Sequence, residues 1–198
     1  MLIHIEWVDL CWKSTLIDKM SRLLKNTMIL TTPKEYLPRD NKVESRQKIW
    51  DFYLTRLNEV EKLLDDNPDC NIILDRFFFS ELVYGKVIRW YDSQDMCESQ
   101  NKVYEKIAEI EKKHGYALIY LSDKTESIWN RYLEKGDDYI KDKKHYHNLK
   151  VEYWKKINAW EQIHTVVKIN VFEDKDYWNR IVDEVLLPDY VYHRDESK

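Results

Sequence analysis

Glycine is almost missing from this chain: 3 residues in 198, where ordinary usage of about 7% predicts roughly 14. Proline is sparse too, at 4. No stretch rich in Pro, Gly or Ser marks a linker, which leaves a single domain over residues 1–193 and a polar tail over 194–198. Cys11, Cys70 and Cys97 stand far apart, with no zinc or disulfide spacing. They are expected to be free thiols of a cytoplasmic protein. No apolar run reaches membrane-spanning length, and Met1 leads into a strand-like segment rather than a basic leader, so no membrane association is expected. A net charge of −4 lacks the basic excess of a general nucleic-acid binder. Hydrophobic residues nevertheless make up 43%, enough for a sizeable core, and tryptophan is over-supplied at 8.

Short apolar runs alternate with longer helical periods. Strands are expected over Leu2–Trp7, Thr27–Leu30, Asn71–Leu74, Tyr116–Leu121 and Val166–Val171. Between them, Leu16, Met20, Leu23 and Leu24 share one helical face. Ile49, Tyr53, Leu57, Val60 and Leu64 mark a long helix broken at Asn67-Pro68-Asp69. Further helices are expected over Phe77–Arg89, around Val103–Ile110, over Ile128–Lys135 and Leu149–Trp160, and from Trp178 to Leu186. This alternation implies a five-stranded parallel sheet covered on both faces, an α/β class with three layers. Ligands of such sheets bind beyond the carboxyl ends of the strands.

The first strand-to-helix turn reads Glu6-Trp7-Val8-Asp9-Leu10-Cys11-Trp12-Lys13-Ser14-Thr15. Against the phosphate-loop pattern G-x-x-x-x-G-K-[ST], Lys13 and Ser14 match in type and context, while both glycine positions hold tryptophan. Such a loop aims consecutive backbone N–H groups and a helix N-terminus at phosphates. Two indoles resist its positive-φ backbone and fill the phosphate space.

Glu6, Asp9, Lys13, Ser14 and Thr15 resemble the opening F-E-G-x-D-G-x-G-K-S-T of thymidylate kinases and their deoxynucleoside kinase cousins. A second segment agrees. Asp75-Arg76-Phe77-Phe78-Phe79-Ser80 follows the third strand and is similar to the D-R-x-x-x-S run of that family. The resemblance implies a P-loop kinase fold with a helical lid at roughly 123–147, ATP as phosphoryl donor, Mg²⁺, and a homodimer as the usual assembly. Carried residue by residue, it places Trp7 through Thr15 and Lys135 at ATP, and Ser14 and Asp75 at the metal. Asp9, Arg76, Phe77 and Ser80 fall at the acceptor, with the three phenylalanines read as core plus one pocket wall, and Lys13, Arg76 and Arg131 fall in catalysis; Arg46 is a further candidate for the acceptor, beside its reading as a solvated helical arginine. An arginine fork suits phosphate oxygens, and Arg131 and Lys135, four apart, share a helical face from which to meet the moving phosphoryl group. The solvated-surface reading of each lid cation stands beside this one.

Three readings of the tryptophans follow: a coincidental Lys-Ser-Thr, a silent relative that kept the fold, or UGA codons that mean glycine written as tryptophan. The last joins the two anomalies, because glycine and tryptophan together approach the expected glycine total. Trp90, at an expected helix end where glycine is favoured, is a third candidate, whereas Trp154, Trp160 and Trp178 fall on apolar helical faces. As for the reaction, the second strand leads into Thr31-Thr32-Pro33-Lys34-Glu35 with neither the T-R-E-P of thymidylate kinases nor a cleanly placed carboxylate. A hydroxyl acceptor needs a base, whereas a phosphate acceptor does not. The expectation is therefore phosphorylation of a deoxynucleoside monophosphate, dTMP foremost, with a deoxynucleoside kinase and a silent kinase relative as alternatives. His145 and His147, without a third ligand, read as surface, and His4 and His164 as ordinary residues near the sheet.

Overall fold

The computed structural model describes residues 1–7, 13–38, 40–90, 98–135, 142–171, 173–174 and 176–186. Five strands form one parallel sheet: β1 (Leu2–Trp7), β2 (Thr27–Thr31), β3 (Asn71–Asp75), β4 (Tyr116–Ser122) and β5 (Val166–Asn170), in the order β2-β3-β1-β4-β5. Every residue of β1 is buried, as a central strand covered on both faces must be. The edge strand β2 leaves Met28 and Ile29 exposed.

The helices are α1 (Lys13–Leu23), α2 (Val43–Asp66), α3 (Phe78–Val87), α4 (Glu98–His114), α5 (Thr125–Lys135), α6 (Lys143–Trp160) and α7 (Tyr177–Ile181), which runs on as a π-helical segment, Val182–Leu186. A short 3-10 turn covers Lys34–Tyr36. Register sets the faces. Leu2, His4 and Glu6 align with Tyr116, Leu118 and Tyr120 and lie toward α3 and α6. Ile3, Ile5 and Trp7 alternate to the opposite face, where α1 begins. Lys19 of α1 reaches the rings of Tyr177 and Trp178, so α1 and α7 are neighbours.

The long helix expected from Ile49 to Leu64 buries Ile49, Trp50, Tyr53, Leu57, Val60 and Leu64 along one stripe. Each such burial contributes about 1.5–3 kcal/mol. It stops where Asn67, outside helical dihedrals, returns its N–H to Leu63. Beside it, α4 runs parallel, joined by Lys106–Glu61 at 3.2 Å and Lys113–Asp65 at 2.6 Å. One expected face is corrected: Leu23 is 58% exposed, and Ile17 takes the inward place with Leu16 and Met20. Helical spacing alone did not separate the outer edge of this stripe from its centre. Trp154 likewise points outward at 60% exposure, while Trp160 is buried and stacked on His164, ring centres 4.0 Å apart.

Candidate active site

β1 and β3 end side by side, which brings the two sequence motifs together. Lys13, the first residue of α1, sets its ammonium 2.9 Å from Asp75 Oδ1 at the end of β3. Burial pushes the Asp75 carboxyl above the usual carboxylate range, against the pull of Lys13. Arg76 follows in the left-handed region at φ +58. Its guanidinium lies 4.7 Å, and the Lys13 ammonium 4.1 Å, from the centre of the Trp7 ring. Two cations and a carboxylate thus converge at the carboxyl edge of the sheet, and an indole fills the space beside them.

Ser14 and Thr15 are exposed in the first turn of α1. Mg²⁺ keeps several waters and takes one or two protein oxygens besides substrate phosphates. A helix-start hydroxyl and a half-buried carboxylate fit such a loosely held ion, with Ser14 and Asp75 as the residues that would bind it. Val8, Asp9, Leu10, Cys11 and Trp12 lie outside the described residues, as do Cys97, the side chain of Lys135, residues 136–141 of the expected lid and the tail at 194–198.

The remaining candidates are placed differently from one another. Phe77 is 2% exposed and packs on Tyr53, ring centres 4.5 Å apart, so it is a core residue rather than a ligand contact. The Ser80 hydroxyl donates to Glu6 Oε2 at 2.8 Å and lies 2.9 Å from the Tyr153 hydroxyl, turned toward β1 rather than outward. Arg46 on α2 reaches Gln100 Oε1 of α4 at 3.5 Å. Arg131 on α5 pairs with buried Asp123, just past β4, whose backbone carbonyl accepts from Lys150 at 2.8 Å. Glu35 is exposed in the 3-10 turn.

Several buried groups form links that no motif announced, even where, as with Glu6, the residue itself lay in one. Glu6, with no exposed surface, receives the Phe77 N–H at 2.8 Å and the Ser80 N–H at 3.3 Å, and lies 3.0 Å from His4 Nε2. The helix α3 has no side-chain cap of its own, and this carboxylate takes that place from another strand. Glu81 of α3 forms a buried ion pair with Arg89, two residues past the end of that helix, and Arg89 also donates to the Pro38 carbonyl at 3.3 Å. Burial, and next the charge of Glu81, push the nearby Tyr53 hydroxyl well above its ordinary range. The available signal was Glu81 and Arg89 eight residues apart within the helix expected over Phe77–Arg89. A cleft of about 630 Å³ opens at the ends of β4 and β5 near Ser122, Trp154 and Asn170, with its cations Lys168 and Arg180 already paired to Glu161 and Asp174.

No family model matches the chain. A relative from Bacillus subtilis, the SPbeta prophage-derived protein YorR, is 30% identical over 142 residues, covering 72% of this chain and 73% of its own length. The chain belongs to the YorR family. The crystal structure of YorR in complex with phosphorylated GDP matches this YorR-family fold with a TM-score of 0.65 over 98% of each chain, at 24% identity. A thymidylate kinase from Candida albicans matches at 0.62, covering 92% of this chain and 90% of its own at 16% identity. A deoxyadenosine kinase from M. mycoides, with dCMP and dCDP bound, matches at 0.53, covering 97% and 99% at 18% identity. These likenesses establish the fold, an α/β architecture shared with P-loop nucleotide kinases.

Proposed function

We propose that this chain is a P-loop nucleotide kinase that moves the γ-phosphoryl group of ATP to a deoxynucleoside monophosphate, with dTMP the first candidate. The observation that carries the reading is the meeting of Lys13, Asp75 and Arg76 at the carboxyl ends of β1 and β3. Lys13 neutralises charge on the outer phosphates, and Arg76 receives the acceptor phosphate. Asp9 meets the acceptor sugar. Bound Mg²⁺ would supply charge relief on the transferring group. Arg131 exchanges Asp123 for that group as α5, part of a lid over about 123–147, closes. Lys135 supports it at ATP, and Arg46 approaches the acceptor from α2. The exposed Glu35 makes a poor general base, which favours an already ionised phosphate over a hydroxyl. The nucleotide in the YorR structure supports nucleotides as the ligand class.

The reading includes glycine, not tryptophan, at positions 7, 12 and 90 of the protein as its own cell makes it. Two features support this. The indole of Trp7 lies against both cations, its ring centre 4.1 Å from the Lys13 ammonium and 4.7 Å from the Arg76 guanidinium. Trp90 sits at φ +58 with 78% of its surface exposed, a backbone that costs a bulky residue and that nothing in its own burial repays.

A coupled ADP-release assay tests both parts. It compares the chain as written with a Trp7→Gly/Trp12→Gly double variant against dTMP, the other monophosphates and thymidine. Turnover of a monophosphate by the double variant is the expected result. Turnover of thymidine alone selects the nucleoside kinase, and no turnover by either form overturns the enzyme reading in favour of a silent relative. Ordinary UGG codons at positions 7 and 12 would remove the glycine reading.

A further inference from the structure

We infer that Glu6 is a positioning residue that sets Arg76 for the acceptor phosphate, an inference that rests on the kinase reading above. Arg76 holds a left-handed backbone without being glycine. Such a residue persists only where its surroundings over-determine it. Here three hydrogen bonds do so. The Arg76 N–H donates to the Ile5 carbonyl at 3.1 Å, and the Arg76 carbonyl accepts from Thr32 Oγ1 at 3.3 Å. The next N–H, of Phe77, donates to Glu6 Oε1 at 2.8 Å. Glu6 therefore fixes the peptide immediately after the strained residue.

The carboxylate is itself held rigidly. It has no exposed surface, so it needs donors on every side. It has them in the Phe77 and Ser80 amides, the Ser80 hydroxyl, the Tyr153 hydroxyl at 3.5 Å and His4 Nε2. Those donors belong to β1, α3 and α6. One buried anion thus ties the strand that precedes the phosphate loop to the helix that begins behind Arg76. The arginine's direction follows from this tie, with its guanidinium turned to the Lys13 side of the sheet edge. Glu6 touches no ligand position and acts only through Arg76.

The test is Glu6→Gln, with KM values read in the double-glycine form and amide exchange read in the chain as written as well. The amide keeps the shape but presents a donor where donors already converge. We expect the KM for the monophosphate acceptor to rise about tenfold or more while the KM for ATP stays unchanged. Faster hydrogen exchange at the Arg76 and Phe77 amides is expected alongside it. Equal rises in both KM values, or unchanged exchange at those amides, would overturn the inference by reducing Glu6 to a core residue. Should Glu6→Gln fail to fold, Thr32→Val carries the same pair of measurements, because it releases the Arg76 carbonyl without unpairing a buried charge. A parent that turns over monophosphate beside a variant with unaltered KM values sinks this inference alone. A parent that binds no monophosphate in either form sinks it together with the kinase reading.

Discussion

Trp90 and Trp160 respond oppositely to shortening, because one is strained in solvent and the other is packed. For Trp90→Gly, relief of the left-handed backbone at φ +58 outweighs the extra freedom of glycine in the unfolded chain. The expected outcome is a gain of about 0.5–1 kcal/mol, read as a higher urea midpoint with the same slope. Trp160→Ala opens a cavity among Phe78, Phe79, Tyr104 and His164 and is expected to lose about 3–5 kcal/mol. The same urea titration therefore sorts tryptophans that shape the fold from one that does not. Asp75 gives a pH-dependent case. Burial raises its folded pKa, so its contribution to stability is full below the ordinary aspartate range and is lost as pH rises through the raised value. Asp75→Asn should match the parent in acid and exceed it in thermal stability at neutral pH, and in the double-glycine form it should lose the proposed turnover. A variant that is destabilised at neutral pH would show that the Lys13 pairing outweighs burial.

Elements were legible where one physical signal acted alone. The three-and-four spacing from Ile49 to Leu64 and the Asn67-Pro68-Asp69 break describe α2 because a single face of it is buried. Strand β1 was legible because an uninterrupted apolar run suits a strand covered on both sides. Within the site, Lys13, Asp75 and Arg76 could be named from their motifs and do meet. For Phe77 and Ser80 the core reading was open but their partners were not legible, because Tyr53, Glu6 and Tyr153 come from distant parts of the chain. The same holds for α3, whose ends are secured from outside: Glu6 caps its start, and Arg89 near its finish holds the Pro38 carbonyl and the buried Glu81. Removing Arg89 leaves that carboxylate buried without its cation. Arg89→Met is accordingly expected to cost about 3–5 kcal/mol in chemical unfolding. A loss below about 1 kcal/mol would mean that Glu81 takes up a proton or finds another donor.

At the scale of the whole molecule, the parallel order β2-β3-β1-β4-β5 puts β1 in the centre with α1 starting behind it. The ends of β1 and β3 therefore share one edge, and residues some sixty apart in sequence become neighbours, as the 2.9 Å contact of Lys13 with Asp75 shows. Whether that edge accepts a triphosphate depends on the volume beside the two cations, now taken by the Trp7 indole. Ligand that binds only the folded state raises stability by about 2.7 kcal/mol at a concentration of about one hundred times Kd. For a chain of this size that corresponds to a shift of roughly 5–10 °C. Mg²⁺ with ATP is expected to leave the melting temperature of the chain as written unchanged and to raise that of the Trp7→Gly/Trp12→Gly form by this amount. A Lys13→Ala change in the double-glycine form should cancel the rise, because the proposed reading gives the ammonium beside Asp75 the charge on the outer phosphates. Equal shifts with and without the tryptophans would show that ATP binds elsewhere, and the cleft near Ser122 and Asn170 is then the place to look for it.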